Sequence, residues 1–293
     1  MSVELLDYAF MQRALLAAAM VGLVAPLVGA FLVQRRLALV GDGLGHTALA
    51  GVAAGVLTGS APVATALAAA VAAAVVIELV RARGRTSGDV VLAIVFYGGI
   101  AAGVVLISLA PSGTAANLTA YLFGAITTTT TTDVATFAVL AAVALTAVVL
   151  LRPWLFAVSN DDEFARASGL PALPINLVLA VLTAVTVVLS MRTVGLLLIS
   201  ALMVVPTAAA QRLCRSFGAT LATACGVGLL CSTGGVVASF YADTPSGGTI
   251  VLLAIAAFAL AVPAGALQQR LRRRSAPPAP DAGGAPAPPA MAL

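Results

Sequence analysis

The chain has 293 residues, of which 61% are hydrophobic and 9% are charged, and a water-soluble domain cannot bury that much apolar surface. The composition therefore excludes a soluble protein and predicts one all-α integral membrane domain of roughly eight to ten spanning helices, each about 20 residues long. The net charge is +4, but the basic residues fall between apolar runs, so we attribute them to membrane topology and expect no nucleic-acid partner.

The sequence contains no lysine, and all 15 of its basic residues are arginines. A phosphate-binding loop of the form G-x-x-x-x-G-K-[ST] is therefore impossible in this chain. We expect a protein that is not itself an enzyme, so any ATP hydrolysis that drives it must take place in a partner subunit.

Nine apolar runs between charged residues predict about nine spanning helices. They cover residues 14–33, 38–59, 61–80, 89–110, 133–151, 173–191, 194–211, 217–240 and 248–267. Glu4 and Asp7 stand where a secretory signal would carry positive charge, so we expect the first run to remain as a span. An odd number of spans puts nearly all arginine clusters on one face, which favours an amino terminus outside and a carboxyl terminus in the cytoplasm.

The second predicted span opens with the sequence GDGLGHTA at residues 41–48, which contains the only histidine of the chain. Asp42 and His46 are four residues apart, so on a helix both side chains project from one face. A carboxylate and an imidazole at this spacing can reach one divalent cation. A helix that starts near Ala38 would place His46 about 12 Å along the span.

Three glycines, at positions 41, 43 and 45, alternate with these residues. They would let another helix, or a second copy of this one, approach closely. In the alternative interpretation, Asp42 pairs with Arg35 and Arg36 at the headgroup level, while His46 hydrogen-bonds a backbone carbonyl. Two ligands are few for a tight metal site, so water or a second protomer would complete a transport site there.

Residues 111–132 are too polar and too rich in Gly and Thr to cross the membrane. Their middle part, 118–126, is predicted to form a short helix that dips into the outer leaflet, shielded by other helices. The run of six threonines that follows is interpreted as a loop, with Thr132 or Asp133 capping the fifth span. A polar lining of the transport pathway is the alternative.

A polar segment between the fifth and sixth spans combines capping residues, acids in its first turn, a glycine stop and a following proline. This pattern predicts a two-turn helix outside the membrane, on which Phe164 and Ala167 offer apolar contacts to another protein. The residues assigned to it are Asp161, Asp162, Glu163, Phe164, Ala165, Arg166, Ala167 and Gly169. The composition leaves open a solvated loop helix without a partner.

Three further features concern gating, the outer face and the end of the chain. Pro206 removes a backbone donor from the seventh span and predicts a kink, which is a candidate gate. Asp243 lies in an outer turn and is a candidate contact for an incoming cation or a docked protein. Residues 275–293 are rich in Pro, Ala and Gly and predict a disordered cytoplasmic tail after a permease domain at 1–274.

Four ordered stretches resemble the permease subunits of bacterial ATP-binding-cassette importers for zinc, manganese and iron. They are Arg35 and Arg36 followed by ALVGD at 38–42 with His46, DEFARASG at 162–169, VGLLLISAL at 194–202 with Pro206, and PSG at 245–247 leading to IVL at 250–252. The resemblance runs in order across nearly all of residues 1–270. One departure is Gly45, where the family more often has serine, so a hydroxyl beside the metal is expected to be missing.

The resemblance implies a type II importer-like, homodimeric permease of the bacterial plasma membrane. Its partners would be a second copy of the chain, two cytoplasmic ATPases, an extracytoplasmic metal-binding protein and membrane lipid. The helix at 160–169 then resembles a coupling helix that docks into the ATPase. Asp42 and His46 become the ligands of a transported Zn²⁺, Mn²⁺ or Fe²⁺ ion, with no permanently bound cofactor.

Two functions of other classes compete with the importer. A stand-alone proton-coupled or passive metal carrier would use Asp42 and His46 as a relay, but the few charges within the spans and the absence of paired broken helices argue against it. An intramembrane metal-dependent hydrolase needs a third protein ligand and a general base. The only further candidate carboxylate is that of Glu78, near a helix end.

Overall fold

The computed structural model describes residues 7–84, 88–109, 122, 124, 130–191 and 194–275. Within these ranges the chain contains nine long helices, one short helix and no strand, as the composition predicts. The helices are α1 (Ala9–Gln34), α2 (Val40–Leu57), α3 (Pro62–Ala82), α4 (Gly88–Ser108), α5 (Thr131–Asn160), α6 (Asp162–Ala167), α7 (Ala172–Ser190), α8 (Leu196–Leu213), α9 (Phe217–Ala242) and α10 (Ser246–Ser275).

Each predicted apolar run corresponds to one long helix. Eight of these helices are long and apolar enough to cross a bilayer. The ninth, α8, has a shorter apolar stretch, Leu198–Leu213. Of the predicted helix at 118–126, only Leu122 and Gly124 are among the described residues. Of the predicted tail at 275–293, only Ser275 is described, and it is the last residue of α10.

Helix α1 forms the centre of the bundle, and most of its residues from Val21 to Leu32 are buried. It packs against α5, α8 and α9. Small residues allow the closest approaches: a side chain at Gly228 of α9 would collide with the ring of Pro26 in α1. Close backbone packing of this kind is typical of helices in lipid, where small residues replace the hydrophobic effect as the source of association.

Helix α2 lies between α3 and α4 and also contacts α8. The connection from α1 to α2 is a Schellman turn, in which Leu37 N–H donates to Leu32 O at 2.8 Å and Arg36 N–H donates to Val33 O at 3.1 Å. Arg36 takes the left-handed conformation there, with φ 59°. The turn fixes where α2 begins, and therefore where the predicted ligands lie.

The start of α5 differs from the sequence expectation. Thr130, and not Thr132 or Asp133, is the N-cap, and its hydroxyl accepts a hydrogen bond from Asp133 N–H at 3.2 Å. The Asp133 carboxylate in turn accepts from Thr130 N–H at 2.9 Å, which completes a capping box. In a run of six threonines each hydroxyl is a candidate cap, and the acid three residues later selects Thr130.

Candidate functional site

Asp42 and His46 lie one turn apart on α2, and both side chains are half-buried. The predicted helical spacing is therefore present. Since α2 begins at Val40, His46 lies about 9 Å along the helix, where the sequence alone suggests about 12 Å. An acid and an imidazole thus share one side of a helix whose other residues, apart from Thr47, are apolar or glycine.

The carboxylate of Asp42 is fixed by a residue that sequence analysis did not assign to the site. Ser200 Oγ on α8 donates a hydrogen bond to Asp42 Oδ1, and Ser200 is buried. Gly41 permits this approach, because a Cβ there would lie 3.1 Å from Ser200 Cβ. Because position 45 is glycine and not serine, a hydroxyl beside the site was expected to be missing. Ser200 supplies a hydroxyl from another helix instead.

The imidazole of His46 packs against the ring of Phe96 on α4. The two ring centroids lie 4.9 Å apart and the planes meet at 81°. Gly99 brings α4 against this part of α2, since a Cβ at that position would lie 2.8 Å from Thr47 N and 3.0 Å from His46 C. Two neighbouring helices, α8 and α4, therefore position the two predicted ligands.

We expect Gly99→Ala to force α4 away from α2 and to displace His46. Overpacking against backbone atoms costs about 1–3 kcal/mol, which thermal melting of the purified protein would detect as a lower melting temperature. Gly98→Ala is the matched control, because a Cβ at Gly98 has no heavy atom within 4 Å. Equal melting temperatures for the two variants would contradict the close α2–α4 packing.

Within the described part of the chain, no group of three or more His, Cys, Asp or Glu side chains is arranged to hold a metal ion. The candidate site thus offers two protein ligands on one helical turn. The remaining positions around a divalent cation are left for water or for a second copy of the chain, and such a site suits an ion that must leave again.

The other acidic residue of interest, Glu78 on α3, has a different role. Its two carboxylate oxygens accept hydrogen bonds from Arg35 and Arg81, each at 3.0 Å. The side chain is only 5% exposed. Arg35 is therefore the partner of Glu78, and the alternative ion pair between Arg35 and Asp42 is not formed.

Helix α6 has the capping pattern that the sequence predicts. The Asp161 side chain accepts a hydrogen bond from Phe164 N–H at 2.9 Å, and Gly169 ends the segment with φ 81°. Phe164 is 71% exposed, and Glu163 and Ala167 are exposed as well. Ala165 is buried, so it attaches α6 to the bundle and leaves the other apolar residues facing outward.

The two remaining candidate residues belong to helices other than α2. Pro206 is buried within α8, which stays helical across it, and its predicted kink remains a prediction. Asp243 is the exposed C-cap of α9, in the left-handed conformation with φ 50°. It lies in the turn that leads to α10.

Comparison with known proteins shows the family of the chain. Residues 7–264 match the model of the ABC 3 transport family. The manganese transport system membrane protein MntC of Halalkalibacterium halodurans is 32% identical over 259 residues, which is 88% of each chain. The chelated iron transport system membrane protein YfeC of Yersinia pestis is 32% identical over 272 residues, which is 92% of each chain.

A solved structure shares the fold as well. The structure of PsaBC from Streptococcus pneumoniae in complex with Fab superposes with a TM-score of 0.82 at 27% identity, covering 94% of this chain and all of the matched chain. The family match spans all nine long helices at least in part, including α2 with Asp42 and His46, and α6. The chain therefore belongs to the ABC 3 transport family.

Proposed function

We propose that this chain is the permease subunit of an ATP-driven importer for a divalent transition-metal ion: zinc, manganese or iron(II). It is a multi-pass protein of the bacterial plasma membrane. The observation that carries the proposal is the pair of Asp42 and His46 on one turn of α2, in a chain whose relatives are named for manganese and chelated iron transport.

The transported ion is the substrate of this site. Neutral imidazole and ionised carboxylate are the forms that bind a metal, and both are oriented before the ion arrives. Ser200 holds the Asp42 carboxylate, and Phe96 packs against the His46 ring. Two fixed ligands give recognition, while the open positions keep the ion exchangeable, which transport requires.

We assign helix α6 as the docking element for a cytoplasmic ATPase, through which ATP hydrolysis is coupled to transport. Its exposed Phe164 offers a large apolar contact, and the exposed acid Glu163 lies next to it. The chain itself has no lysine for a phosphate-binding loop. ATP hydrolysis therefore belongs to the partner.

Contacts at one end of the bundle support the orientation of the chain. The ends of α1 and α3 meet through Arg35 and Glu78, and the end of α8 meets α10 where Gly265 packs on Arg212. The two pairs are linked by Phe31 near the end of α1, whose ring centroid lies 5.2 Å from that of Phe217, the first residue of α9 after α8. These helices therefore end on the same face, as alternate crossing by nine spans requires. Because most arginines lie at this end, we assign it to the cytoplasm, with the amino terminus outside.

The remaining partners follow from this orientation. A second copy of the chain completes the pathway and supplies further metal ligands. An extracytoplasmic metal-binding protein delivers the ion to the opposite face. Asp243, exposed in the turn between α9 and α10, is a candidate contact there.

Reconstitution into liposomes tests the proposed function. The chain together with its cassette ATPase and binding protein is expected to take up Mn²⁺ or Zn²⁺ only when ATP is supplied on the cytoplasmic side. The chain alone is expected to move neither ion under a pH gradient. Uptake by the isolated chain under a pH gradient would contradict the importer and support a proton-coupled carrier.

A further inference from the structure

A buried charged cluster lies where the end of α1, the end of α3 and the start of α2 come together. Glu78 of α3 binds Arg35, the C-cap of α1, and Arg81, one turn further along α3. The side chains of Arg35 and Glu78 are each 5% exposed. Both oxygens of Glu78 are therefore committed to two cations that come from different parts of the chain.

Two hydrogen bonds connect the segment around α6 to the same region. Asp162 Oδ1 accepts from Asn176 Nδ2 of α7 at 3.0 Å, while its other oxygen binds Arg166. Asn160, the last residue of α5, accepts from Gln34 Nε2 at 3.3 Å. Gln34 is the neighbour of Arg35, so α6 is tied to α7, and the end of α5 that leads into α6 is tied to the end of α1.

Arg35 also responds electrostatically to α6. Burial lowers the pKa of the Arg35 guanidinium, Glu78 opposes that shift, Arg81 adds to it, and the carboxylate of Asp162 opposes it. The carboxylate of Asp162 therefore interacts favourably with the desolvated charge of Arg35. A displacement of α6 changes the field at Arg35 even without a direct bond between the two side chains.

The cluster abuts the metal-binding helix. Arg35 and Glu78 line a cavity of about 10 Å³ together with Val40, the first residue of α2, and Ala180, one turn beyond Asn176 on α7. A space this small is at the lower limit for one water molecule. Because little free space separates these residues, a displacement of the cluster is transmitted to Val40 and not absorbed. Val40 is two residues before Asp42.

We propose that the cluster of Arg35, Glu78 and Arg81, together with the Asp162–Asn176 hydrogen bond, positions α2 according to the position of α6. These are positioning residues, since none of them touches the ion. The inference rests on the proposed function and deepens it, because it names the groups that link ATPase docking to the ligands Asp42 and His46.

A purely structural role makes a different prediction from a positioning role. A buried ion pair can be replaced by apolar residues of similar volume with little loss of stability, whereas removal of one partner leaves an uncompensated charge. If the cluster only stabilises the fold, the double variant Arg35→Met/Glu78→Met should therefore fold and transport as the wild type does. It removes the electrostatic link to α6, and Arg81, at 23% exposure, keeps access to water.

The test uses the complete complex with its ATPase, in detergent for Mn²⁺ and Zn²⁺ binding and in liposomes for uptake. We expect the double variant to bind both ions as the wild type does. Its ATP consumption per imported ion should rise by about 2- to 30-fold, the range of coupling effects carried by intermediate residues. An unchanged ratio, or a loss of metal binding, would overturn the proposal.

Asn176→Leu tests the same link without removing a buried charge, since Asp162 keeps Arg166 and partial exposure. We expect the same rise in ATP per ion, and an unchanged ratio would overturn the proposal by itself. Thr183→Val on α7 is the matched control, because its hydroxyl donates within its own helix to Leu179 O at 2.7 Å. Asp42→Ala tests the metal site separately: wild-type metal binding there would refute that assignment, whatever the cluster variants do.

Discussion

Asp42→Ala and His46→Ala are each expected to reduce ATP-driven metal uptake by at least about 100-fold. Loss of a group that only orients a metal ligand costs about 10- to 100-fold in affinity, and these residues are the ligands themselves. Each substitution removes one of the two ligands that α2 provides, and a homodimer loses that ligand in both copies. Uptake of Mn²⁺, Zn²⁺ and Fe²⁺ into liposomes or cells measures the effect.

Thr47→Val is the control for these two variants. Thr47 lies next to His46 on α2, and its hydroxyl donates within the helix to Gly43 O at 2.9 Å. The substitution keeps the shape of the side chain, so uptake should stay near the wild-type rate. Wild-type uptake of all three ions by the Asp42 and His46 variants would remove the site assignment.

The second large effect is expected at helix α6, where Phe164→Ala should uncouple the chain from its ATPase. Phe164 is 71% exposed on a helix that is otherwise capped and anchored, so the substitution removes an outward contact without disturbing the fold. Truncation of an aromatic anchor at an interface commonly costs about 2 kcal/mol or more, which corresponds to roughly a 30-fold weaker complex. Co-purification of the ATPase and ATP-driven uptake both measure this loss.

Trp154→Ala provides the comparison for Phe164. Trp154 is also a large exposed aromatic residue, at 50%, and it lies near the end of α5 that leads to α6. If α6 is the docking element, this variant retains its ATPase while Phe164→Ala loses it. Equal retention of the ATPase by both variants would exclude Phe164 as the anchor.

The parts of the fold that depend on local sequence could be predicted. Apolar runs set the number and approximate bounds of the long helices, because the chain has little other surface to offer lipid. The acids and the glycine around α6 specify its start and stop by capping chemistry, which acts within a few residues. The spacing of Asp42 and His46 follows from the helical repeat alone.

The parts of the site that depend on packing between distant helices could not be predicted. Ser200 reaches Asp42 across 158 residues of sequence, and no local pattern distinguishes it from other serines in apolar helices. The ion pair between Glu78 and Arg35 could not be predicted either. The i,i+3 spacing of Glu78 and Arg81 suggests one partner, whereas the buried partner Arg35 comes from the end of another helix. For Ser200, the resemblance between sequences was the only available signal, since it singled out the stretch at 194–202 that contains this residue.

The most direct test is to locate the transported ion in the complex, by anomalous diffraction or absorption spectroscopy at the metal edge with bound Zn²⁺. The account predicts zinc at about 2.0–2.2 Å from a ring nitrogen of His46 and a carboxylate oxygen of Asp42. Zinc held by other residues, with Asp42 and His46 facing lipid or different cavities, would contradict it.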